Sequence, residues 1–389
     1  MAIPVYKTFA GQIYPSSSLS FGDERILVIK TNLVEVENYI QDLKNAGYVS
    51  QSYRRIPSGI QNGENVYFAC QNDKNNLTLF YDHSRHACSI IEDVLSPLPT
   101  DGQQEEKGKG ELSLAQVSIR GGSSYVIKLK DGAFLVIDGG EYGLDDQIRL
   151  YNYLKENSCD EKITIKTWFF THADSDHITL ATSFLNEYAK NVDVESFCYQ
   201  FPDFDKITML IDSNKIKQNV KLLEGAIKTN YPKAKVYTAR TGQAYYYDGA
   251  SIEIIYSLDD TYLCIYPSPN EMSLAFKVNF DGGKSAVLLG DCMMTACRQM
   301  AFTYGEYLKA DILQLAHHGL IGGDTYLYKT VNPDICFWDT TKSRFNGENE
   351  KLFKWCLGEG GCDYNAWIRD EKIKKRTHYT NDKTNVIVF

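Results

Sequence analysis

The sequence predicts an α/β protein built from two units, a small α+β unit at the N-terminus and a larger α/β domain whose helices pack outside a sheet layer. Strand-like apolar runs alternate with helical stretches along most of the chain. Several runs, among them AVLLG and ILQLA, are apolar at nearly every residue, which is typical of strands covered on both faces. A polar segment separates the two units.

The N-terminal unit, residues 1–95, is predicted to contain one helix among several strands. Apolar residues at helical spacing predict the helix over Val34–Ala46. The strands are predicted at residues 25–30, 65–70, 77–81 and 87–94. This unit holds no cluster of catalytic residue types, so its role stays open between docking an unknown protein partner, dimerisation and covering an active site.

Residues 96–110 are predicted to be a linker, because they include two prolines, three glycines and a run of charges with little to bury. The larger domain is then residues 111–389. Its strands are predicted at residues 124–129, 134–137, 163–170, 251–256, 273–280, 285–289, 311–316 and 335–338, and its helices at 145–156, 178–189, 212–229 and 295–304.

Composition excludes several classes of protein. The 389 residues carry a formal net charge of −9, which argues against a protein that coats nucleic acid through bulk positive charge. No apolar run approaches the roughly 18 residues of a membrane span, and the N-terminus lacks the pattern of a signal peptide. The ten cysteines form no CxxC pair, so we expect free thiols and a cytoplasmic protein.

Ligand-type side chains follow three of the predicted strands. The chain has only seven histidines, and four of them lie in two motifs directly after apolar runs. The first motif, TWFFTHADSDHI, contains His172, Asp174, Asp176 and His177. The second, LQLAHHG, contains His317 and His318, and Asp291 follows the run AVLLG in the same manner.

The spacing within the first motif indicates a metal site. Residues i and i+2 of an extended turn point the same way, so His172 and Asp174 would share a target, while Asp176 and His177 would fall on a bend before a helix starting at Ile178. Four ligand-type side chains within six residues repel one another or stay unpaired unless a cation lies between them. The alternative is that Asp174 or Asp176 only caps the helix.

These motifs resemble those of the metallo-β-lactamase superfamily. THADSDH is similar to its THxHxDH signature. VIDGG at residues 136–140 precedes this motif, and LLGD at 288–291 and HHG at 317–319 come after it. This is the superfamily's order, and the resemblance extends from about Leu112 to the C-terminus. The resemblance implies an αββα sandwich with metal ions at one edge. The alternative fold, a doubly wound parallel sheet, would not explain the order of the motifs.

Within the superfamily, the pattern HxDxDH and the NEMSL segment beginning at Asn270 resemble the soluble, nuclease-like domain of DNA-internalisation competence proteins. The membrane channel segments of those proteins have no counterpart here. Kinship at the level of the fold does not transfer a substrate, so this resemblance favours a nuclease-type activity without identifying what is cleaved.

The resemblance also implies a set of metal ligands, with two departures from the superfamily pattern. Asp174 and Asn270 stand where many members carry histidine. The first metal site would consist of His172, Asp174 and Asn270, and the second of Asp176, His177 and His317, with Asp291 bridging. Because carboxylate and amide oxygens favour Mn²⁺ or Mg²⁺ over Zn²⁺, we expect one or two divalent ions, Mn²⁺ or Zn²⁺, with Mg²⁺ as an alternative.

Catalytic roles follow from the metal. A divalent cation lowers the pKa of bound water from about 16 towards about 7. Asp176 would hold the metal and orient or deprotonate that water, and His318 would protonate the leaving oxygen or contact the substrate. Which of His317 and His318 binds the metal stays open, with His317 favoured.

A basic segment near the C-terminus would bind an anionic substrate. The segment EKIKKRTHYTND contains Lys372, Lys374, Lys375, Arg376 and His378, and in the fold implied by the resemblance this segment often returns near the active-site edge. The alternative is a solvated basic helix end.

The sequence thus favours a metal-dependent hydrolase acting on a phosphodiester in a nucleotide or a single-stranded nucleic acid. Two alternatives stay open. One is hydrolysis of a lactone, thioester or amide, and the other is a non-catalytic binding or sensing protein whose metal site has decayed.

Overall fold

The computed structural model describes residues 3–4, 8–17, 23–102, 108–143, 145–205, 208–209, 213–258, 265–266, 269–319, 322–342 and 376–389. The first part of the chain forms a six-stranded antiparallel sheet with one helix on its face. Its elements are β1 (Gln12–Ser17), β2 (Glu24–Ile29), α1 (Leu33–Asn45), β3 (Val49–Pro57), β4 (Glu64–Gln71), β5 (Asn75–Asp82) and β6 (Ala87–Val94), with sheet order β1-β2-β6-β5-β4-β3.

Helix α1 shows why this unit folds as it does. The Asn32 side chain accepts a hydrogen bond from the backbone N–H of Glu35 and caps the helix. Apolar residues three and four apart, among them Val36, Ile40 and Leu43, are buried against the sheet and form the core of this unit.

The next part of the chain builds an eight-stranded sheet and three helices. Its elements are β7 (Ser113–Gln116), β8 (Tyr125–Lys128), β9 (Phe134–Ile137), α2 (Asp146–Asn157), β10 (Ile163–Phe169), α3 (Ser175–Glu187), β11 (Val192–Val194), β12 (Ser196–Tyr199), β13 (Thr208–Met209), α4 (Ser213–Asn230) and β14 (Lys235–Thr238). The sheet order is β14-β12-β10-β9-β8-β7 followed by the last strand of the chain, and β11 pairs with β10.

A seven-stranded sheet follows, in the order β15-β16-β18-β19-β20-β21-β22. Its elements and neighbours are β15 (Ala244–Tyr247), β16 (Ala250–Tyr256), β17 (Ile265–Tyr266), β18 (Ala275–Phe280), β19 (Ser285–Leu288), α5 (Met294–Tyr304), β20 (Ile312–Gln314), α6 (Thr325–Val331), β21 (Ile335–Trp338), β22 (Thr377–Thr380) and β23 (Asn385–Val388). Strand β23 joins the eight-stranded sheet beside β7, and β13 pairs with β17 apart from the large sheets.

The two large sheets pack face to face in an αββα sandwich, which confirms the predicted fold class. Their inner faces share one apolar core, to which Phe169 of β10 and Phe276 of β18 contribute rings 5.5 Å apart. Helices α2, α3 and α4 cover the outer face of the eight-stranded sheet, while α5 and α6 cover the other sheet.

One edge of the sandwich collects the carboxyl ends of parallel strands from both sheets. Strands β9, β10, β12 and β14 run parallel in one sheet, and β19, β20, β21 and β22 run parallel in the other. The chain leaves these strands at Asp138, His172 and Asp291, among others, so polar side chains from distant parts of the sequence meet at this edge.

The N-terminal sheet packs on the sandwich beside α5. Ile56, Tyr67 and Phe80 belong to the same buried cluster as residues of α5. Polar contacts add to this, because Arg54 pairs with Glu253 at 2.9 Å and Asn65 donates to the Thr303 carbonyl at 3.0 Å. The division into a domain of residues 1–95 and a domain of residues 111–389 stays a prediction.

Several details differ from the sequence prediction. Helix α3 begins at Ser175, three residues before the predicted start, because Asp174 caps it. Asp176 and His177 therefore lie in the first helical turn and not on a bend before it. The described cysteines (Cys70, Cys88, Cys159, Cys198, Cys292, Cys297 and Cys336) are all free thiols, as predicted. Among the described residues, no helix combines the length and apolarity that crossing a membrane requires.

Candidate metal centre

Histidines and aspartates from both sheets converge at the edge described above. Two groups of three have their ligand atoms within 4.8 Å of one another: His172, His177 and Asp291, and Asp176, His177 and His318. All but Asp176 are buried. These residues are separated by up to about 140 positions in the sequence, and the sandwich fold brings them together.

Asp291 lies at the middle of the cluster. Its Oδ1 is 3.3 Å from Nε2 of His177, and its Oδ2 lies 3.8 Å from His172, 3.5 Å from His318 and 3.8 Å from His317. The preceding Gly290 has φ +51°, and a Cβ there would lie 2.8 Å from the Thr171 side chain. This close approach of β10 and β19 requires glycine and places the carboxylate among the histidines.

A buried carboxylate orients the two histidines of the first motif. Asp138 accepts a hydrogen bond from Nδ1 of His177 at 2.7 Å and another from Thr171 Oγ1, also at 2.7 Å. Nδ1 of His172 lies 3.0 Å from the same Thr171 hydroxyl. When both rings are neutral and their Nδ1 atoms donate to this network, each ring presents an unprotonated Nε2 to the cluster, the arrangement typical of metal-bound histidines.

A second buried carboxylate, that of Asp339, orients His318 through the hydroxyl of Ser123. The His318 Nδ1 is 3.4 Å from the hydroxyl of Ser123, which in turn donates to Asp339 at 2.7 Å. Asp339 also accepts from Tyr125 and Gln116, so its position is fixed on three sides. The Nε2 of His318 is thereby directed at Asp176, whose Oδ2 lies 3.0 Å away.

Strained backbone supports the site. Asp138, His317 and His318 all adopt left-handed conformations, with φ of 57°, 53° and 56°. Such conformations are uncommon for residues other than glycine and persist only where the surroundings determine them. They place the Asp138 carboxylate and the two imidazole rings at the ends of their strands.

The residues present fit a divalent cation. Buried polar atoms need partners, yet five of them at this edge form no well-aligned hydrogen bond with any described residue. They are His172 Nε2, His177 Nε2, His318 Nε2, Asp291 Oδ1 and Asn270 Oδ1. The two oxygens have lone pairs, and each imidazole nitrogen has one when its ring is neutral, so these neighbouring atoms form a donor set that a cation would satisfy.

The electrostatics of the cluster agree with this. Burial would raise the pKa of Asp291, but His177 and His318 hold that pKa well below its usual range. Asp176 behaves likewise, its pKa lowered against burial by His177 and His318. Burial and the neighbouring His177 lower the pKa of His172. Burial lowers the pKa of His177, but Asp291 and Asp138 raise it well above its usual range. The aspartates are therefore ionised and His172 is neutral, whereas His177 has to release a proton when it binds a metal.

The structure places the other predicted ligands differently. Asp174 accepts from the Ser175 backbone N–H at 2.9 Å and caps α3, so it does not join either group of three. Asn270 donates to His317 Nε2 at 3.2 Å. Of the two histidines of the HHG turn, His318 and not His317 belongs to a group of three: the left-handed turn directs His318 towards Asp176, while His317 lies about a quarter exposed beside Asn270, 3.8 Å from Asp291.

The predicted basic rim is only partly described. Lys372, Lys374 and Lys375 lie outside the described residues. Arg376 bonds to Asp334 and the Pro333 carbonyl, at the opposite end of β21 from the cluster, so its placement beside the metal site is corrected. His378 accepts from Trp338 Nε1 at 3.0 Å, and the Trp338 ring in turn packs against Gly319 of the HHG turn.

Four residues of the site were missed from the sequence: Asp138, Thr171, Ser123 and Asp339. Asp138 carried a usable signal, since it follows the apolar run of β9 as Asp291 follows that of β19. Asp339 follows β21 in the same way. An acidic residue directly after a buried parallel strand is thus the shared pattern at this edge.

The metal-free protein should lose stability at alkaline pH through His318. Burial lowers the pKa of this ring, but Asp291 and Asp176 raise it to about 9. Because this pKa exceeds the unfolded value of about 6.5, the stabilisation by the charged His318 is complete below about pH 6.5 and disappears as the pH rises through about 9. We expect the difference in unfolding free energy between wild type and His318→Gln, measured with urea and a chelator, to shrink over that range. A difference that is constant with pH would contradict this.

Comparison with known proteins gives no family by sequence. No family model matches the chain, and no curated protein matches it.

Solved structures similar to the chain include several metallo-β-lactamases. One, from Cronobacter sakazakii, is 13% identical with a TM-score of 0.32, over 67% of this chain and 98% of that chain. The metallo-β-lactamase SMB-1 is 12% identical with a TM-score of 0.32, over 56% and 79%. A long-form RNase Z from yeast is 11% identical with a TM-score of 0.32, over 69% of this chain and 46% of that chain. At such values the likeness does not extend to function, and the site rests on its own geometry.

Proposed function

We propose that the chain is a metal-dependent hydrolase that cleaves phosphodiester bonds. The observation that carries this is the convergence of five buried polar atoms that form no well-aligned hydrogen bond with a described residue, on three histidines, an aspartate and an asparagine at one edge of the sandwich. A decayed site would not keep two separate buried carboxylates, Asp138 and Asp339, holding its imidazoles in position.

The ligand set favours a hydrolase with one or two ions. His177 has a single free nitrogen and serves only one of the two groups of three, whereas Asp291 has two oxygens and can serve both. When bound, a divalent ion would polarise the scissile group and supply a water of lowered pKa. The carboxylates of Asp176 and Asp291 make the set oxygen-rich, which supports Mn²⁺ as well as Zn²⁺.

The chain's own residues supply the proton chemistry. We assign Asp176 to orient and accept a proton from the attacking water, since it is the least buried carboxylate of the cluster. His318 is held between Asp176 and Ser123 and becomes a ligand position, whereas His317 is partly exposed and can reach a leaving oxygen. The competence-protein-like pattern HxDxDH supports a phosphodiester as the substrate.

Elemental analysis of the full chain tests the metal. We expect one or two equivalents of metal after incubation with Mn²⁺ or Zn²⁺, and a loss of at least one equivalent in Asp176→Ala. Asp193→Ala is the matched control, because that side chain is 61% exposed on β11. A wild-type protein that retains no metal would contradict the proposal and favour a non-catalytic role.

Turnover of bis-p-nitrophenyl phosphate tests the reaction. With metal present, we expect Asp176→Ala to lower kcat about 100-fold or more, the range typical of a lost general base. Activity that survives in Asp176→Ala at the wild-type level would come from a contaminant. Metal retention without turnover of any phosphodiester would instead favour a lactone, thioester or amide as the substrate.

A further inference from the structure

A second concave site lies beside the metal centre. It is a groove of about 360 Å³ between the N-terminal sheet and the carboxyl ends of β12 and β14. Residues of β2 and β6 form one wall, and Tyr199, Gln200 and Tyr237 belong to the other. None of the groove residues belongs to the candidate metal ligands, so the groove is a separate feature of the edge.

The groove is one strand away from the metal ligands. Strand β12 pairs parallel with β10, and the Phe170 N–H donates to the Cys198 carbonyl. Continuing this register puts Gln200 beside Thr171, the residue before His172. Neighbouring strands are about 4.8 Å apart, so a small molecule bound at the metals can extend a second group into the groove.

One buried polar atom in the groove has no partner among the described residues. Gln200 is 4% exposed, and its Nε2 donates to none of them. Glu92 also lines the groove, but its side chain lies on the face of β6 that carries Ile90 and packs with α1, where it accepts from Asn75. A ligand that offers a hydrogen-bond acceptor would satisfy the Gln200 amide.

An aromatic ring lies on the same face of the sheet as the Gln200 amide. Tyr237 pairs with Cys198 in the register of β12 and β14, so Tyr237 and Gln200 share one face and line the same groove, whereas Tyr199 and Phe201 pack on the helix-covered face. Flat heteroaromatic groups stack on such rings. A planar group whose edge carries both donors and acceptors is the chemistry of a nucleobase.

The charges of the groove fit a base and oppose a phosphate. Four carboxylates line it, from Asp23, Glu24, Glu92 and Asp93. Arg240 is the one cation among its lining residues, and that guanidinium already contacts Asp23 at 2.7 Å and Asp93 at 2.9 Å. The negative field would repel a phosphate from the groove and leave it to the metal centre.

We propose that this groove binds the nucleobase of a nucleotide-bearing phosphodiester while its phosphate lies at the metal centre. The assignment rests on the proposed function and narrows it to nucleoside-bearing substrates. It also gives the N-terminal sheet a role, because Asp93 of β6 lines the groove and pairs with Arg240.

Two chromogenic substrates test the groove. Thymidine 5′-(p-nitrophenyl phosphate) carries a base, whereas bis-p-nitrophenyl phosphate carries none. We expect kcat/KM to be at least tenfold higher for the thymidine ester. The ratio of the two values should fall about tenfold in Gln200→Met and in Tyr237→Leu, chiefly through KM, as the loss of a buried hydrogen bond or a stacked ring implies. Gln41→Met, on the exposed face of α1, is the matched control and should leave the ratio unchanged.

The outcomes separate the two proposals. Equal turnover of both substrates, or a ratio that Gln200→Met does not change, would overturn the groove assignment and leave the hydrolase intact. If neither substrate is turned over, saturation-transfer NMR of thymidine with the chelator-treated protein decides about the groove alone. Transfer to the base protons that is lost in Gln200→Met supports base binding. Tetramethylammonium serves as a probe that carries a positive charge and no base. If thymidine receives no transfer, or if tetramethylammonium receives it instead, the groove does not select a base.

Discussion

Replacing Asp291 with asparagine is expected to abolish metal retention and to lower phosphodiester turnover about 1,000-fold or more. Among the residues that the structure describes, Asp291 is the one carboxylate within 4 Å of all four histidines of the cluster, and it is 2% exposed. Asparagine keeps the size of the side chain but removes the negative charge and one acceptor oxygen. Charge stabilisation by a metal contributes several kcal/mol, and each 1.36 kcal/mol is about a factor of ten in rate.

The Asp291→Asn experiment needs a readout of folding. The left-handed Gly290 and the Ser273 hydroxyl, which accepts from the Asp291 backbone N–H at 3.2 Å, are untouched by the substitution. We therefore expect circular dichroism spectra like those of the wild type, with no metal by elemental analysis. Asp193→Asn should retain the full complement. Stoichiometric metal in Asp291→Asn would exclude Asp291 as a bridging ligand.

The residue types of the cluster could be predicted because each follows a buried strand. An apolar run of nearly every residue indicates a strand inside the sandwich, and His172, His177 and Asp291 have no place in such a core without a function. Parallel strands then bring their carboxyl ends to one edge. This reasoning located the site from local patterns alone.

The choice between neighbouring residues could not be made in this way. Whether His317 or His318 faces Asp176 depends on two consecutive left-handed residues, a conformation that the sequence HHG does not specify. Asp339 acts through Ser123, which lies 216 positions away and becomes its neighbour only when β21 and β8 occupy their places in the two sheets. Asp174 has the right residue type and spacing for a metal ligand, but its carboxylate caps the N-terminus of α3.

The groove could not be predicted from the sequence for a related reason. Gln200 and Asp93 are ordinary polar residues in their own segments, and nothing near either one marks it. They line one groove only because the N-terminal sheet packs against the ends of β12 and β14. Polar residues buried by packing between units leave no periodic signal along the chain.

Replacing Arg240 with methionine is expected to destabilise the protein by about 3–5 kcal/mol. The Arg240 side chain is 4% exposed and pairs with Asp23 and Asp93 of the N-terminal sheet. Methionine fills similar space but leaves two carboxylates facing each other without this cation, and removing one partner of a buried pair costs about that much. Arg55→Met is the control, since Arg55 forms exposed pairs with Glu37 and Glu64 whose loss should cost under about 1 kcal/mol.

Urea unfolding of Arg240→Met and of the triple variant with Asp23→Asn and Asp93→Asn distinguishes two explanations. If the cost comes from unpaired buried charge, neutralising both carboxylates should restore part of the lost stability. An intact buried ion pair contributes little net stability, whereas a buried charge that has lost its partner destabilises the protein strongly. If the triple variant is less stable than Arg240→Met, the two aspartates stabilise the chain through other contacts, such as that of Asp23 with Arg25 at 2.7 Å. The first result would identify Arg240 as the residue that allows an acidic wall to pack against the sandwich, and hence as the residue that holds the groove in shape.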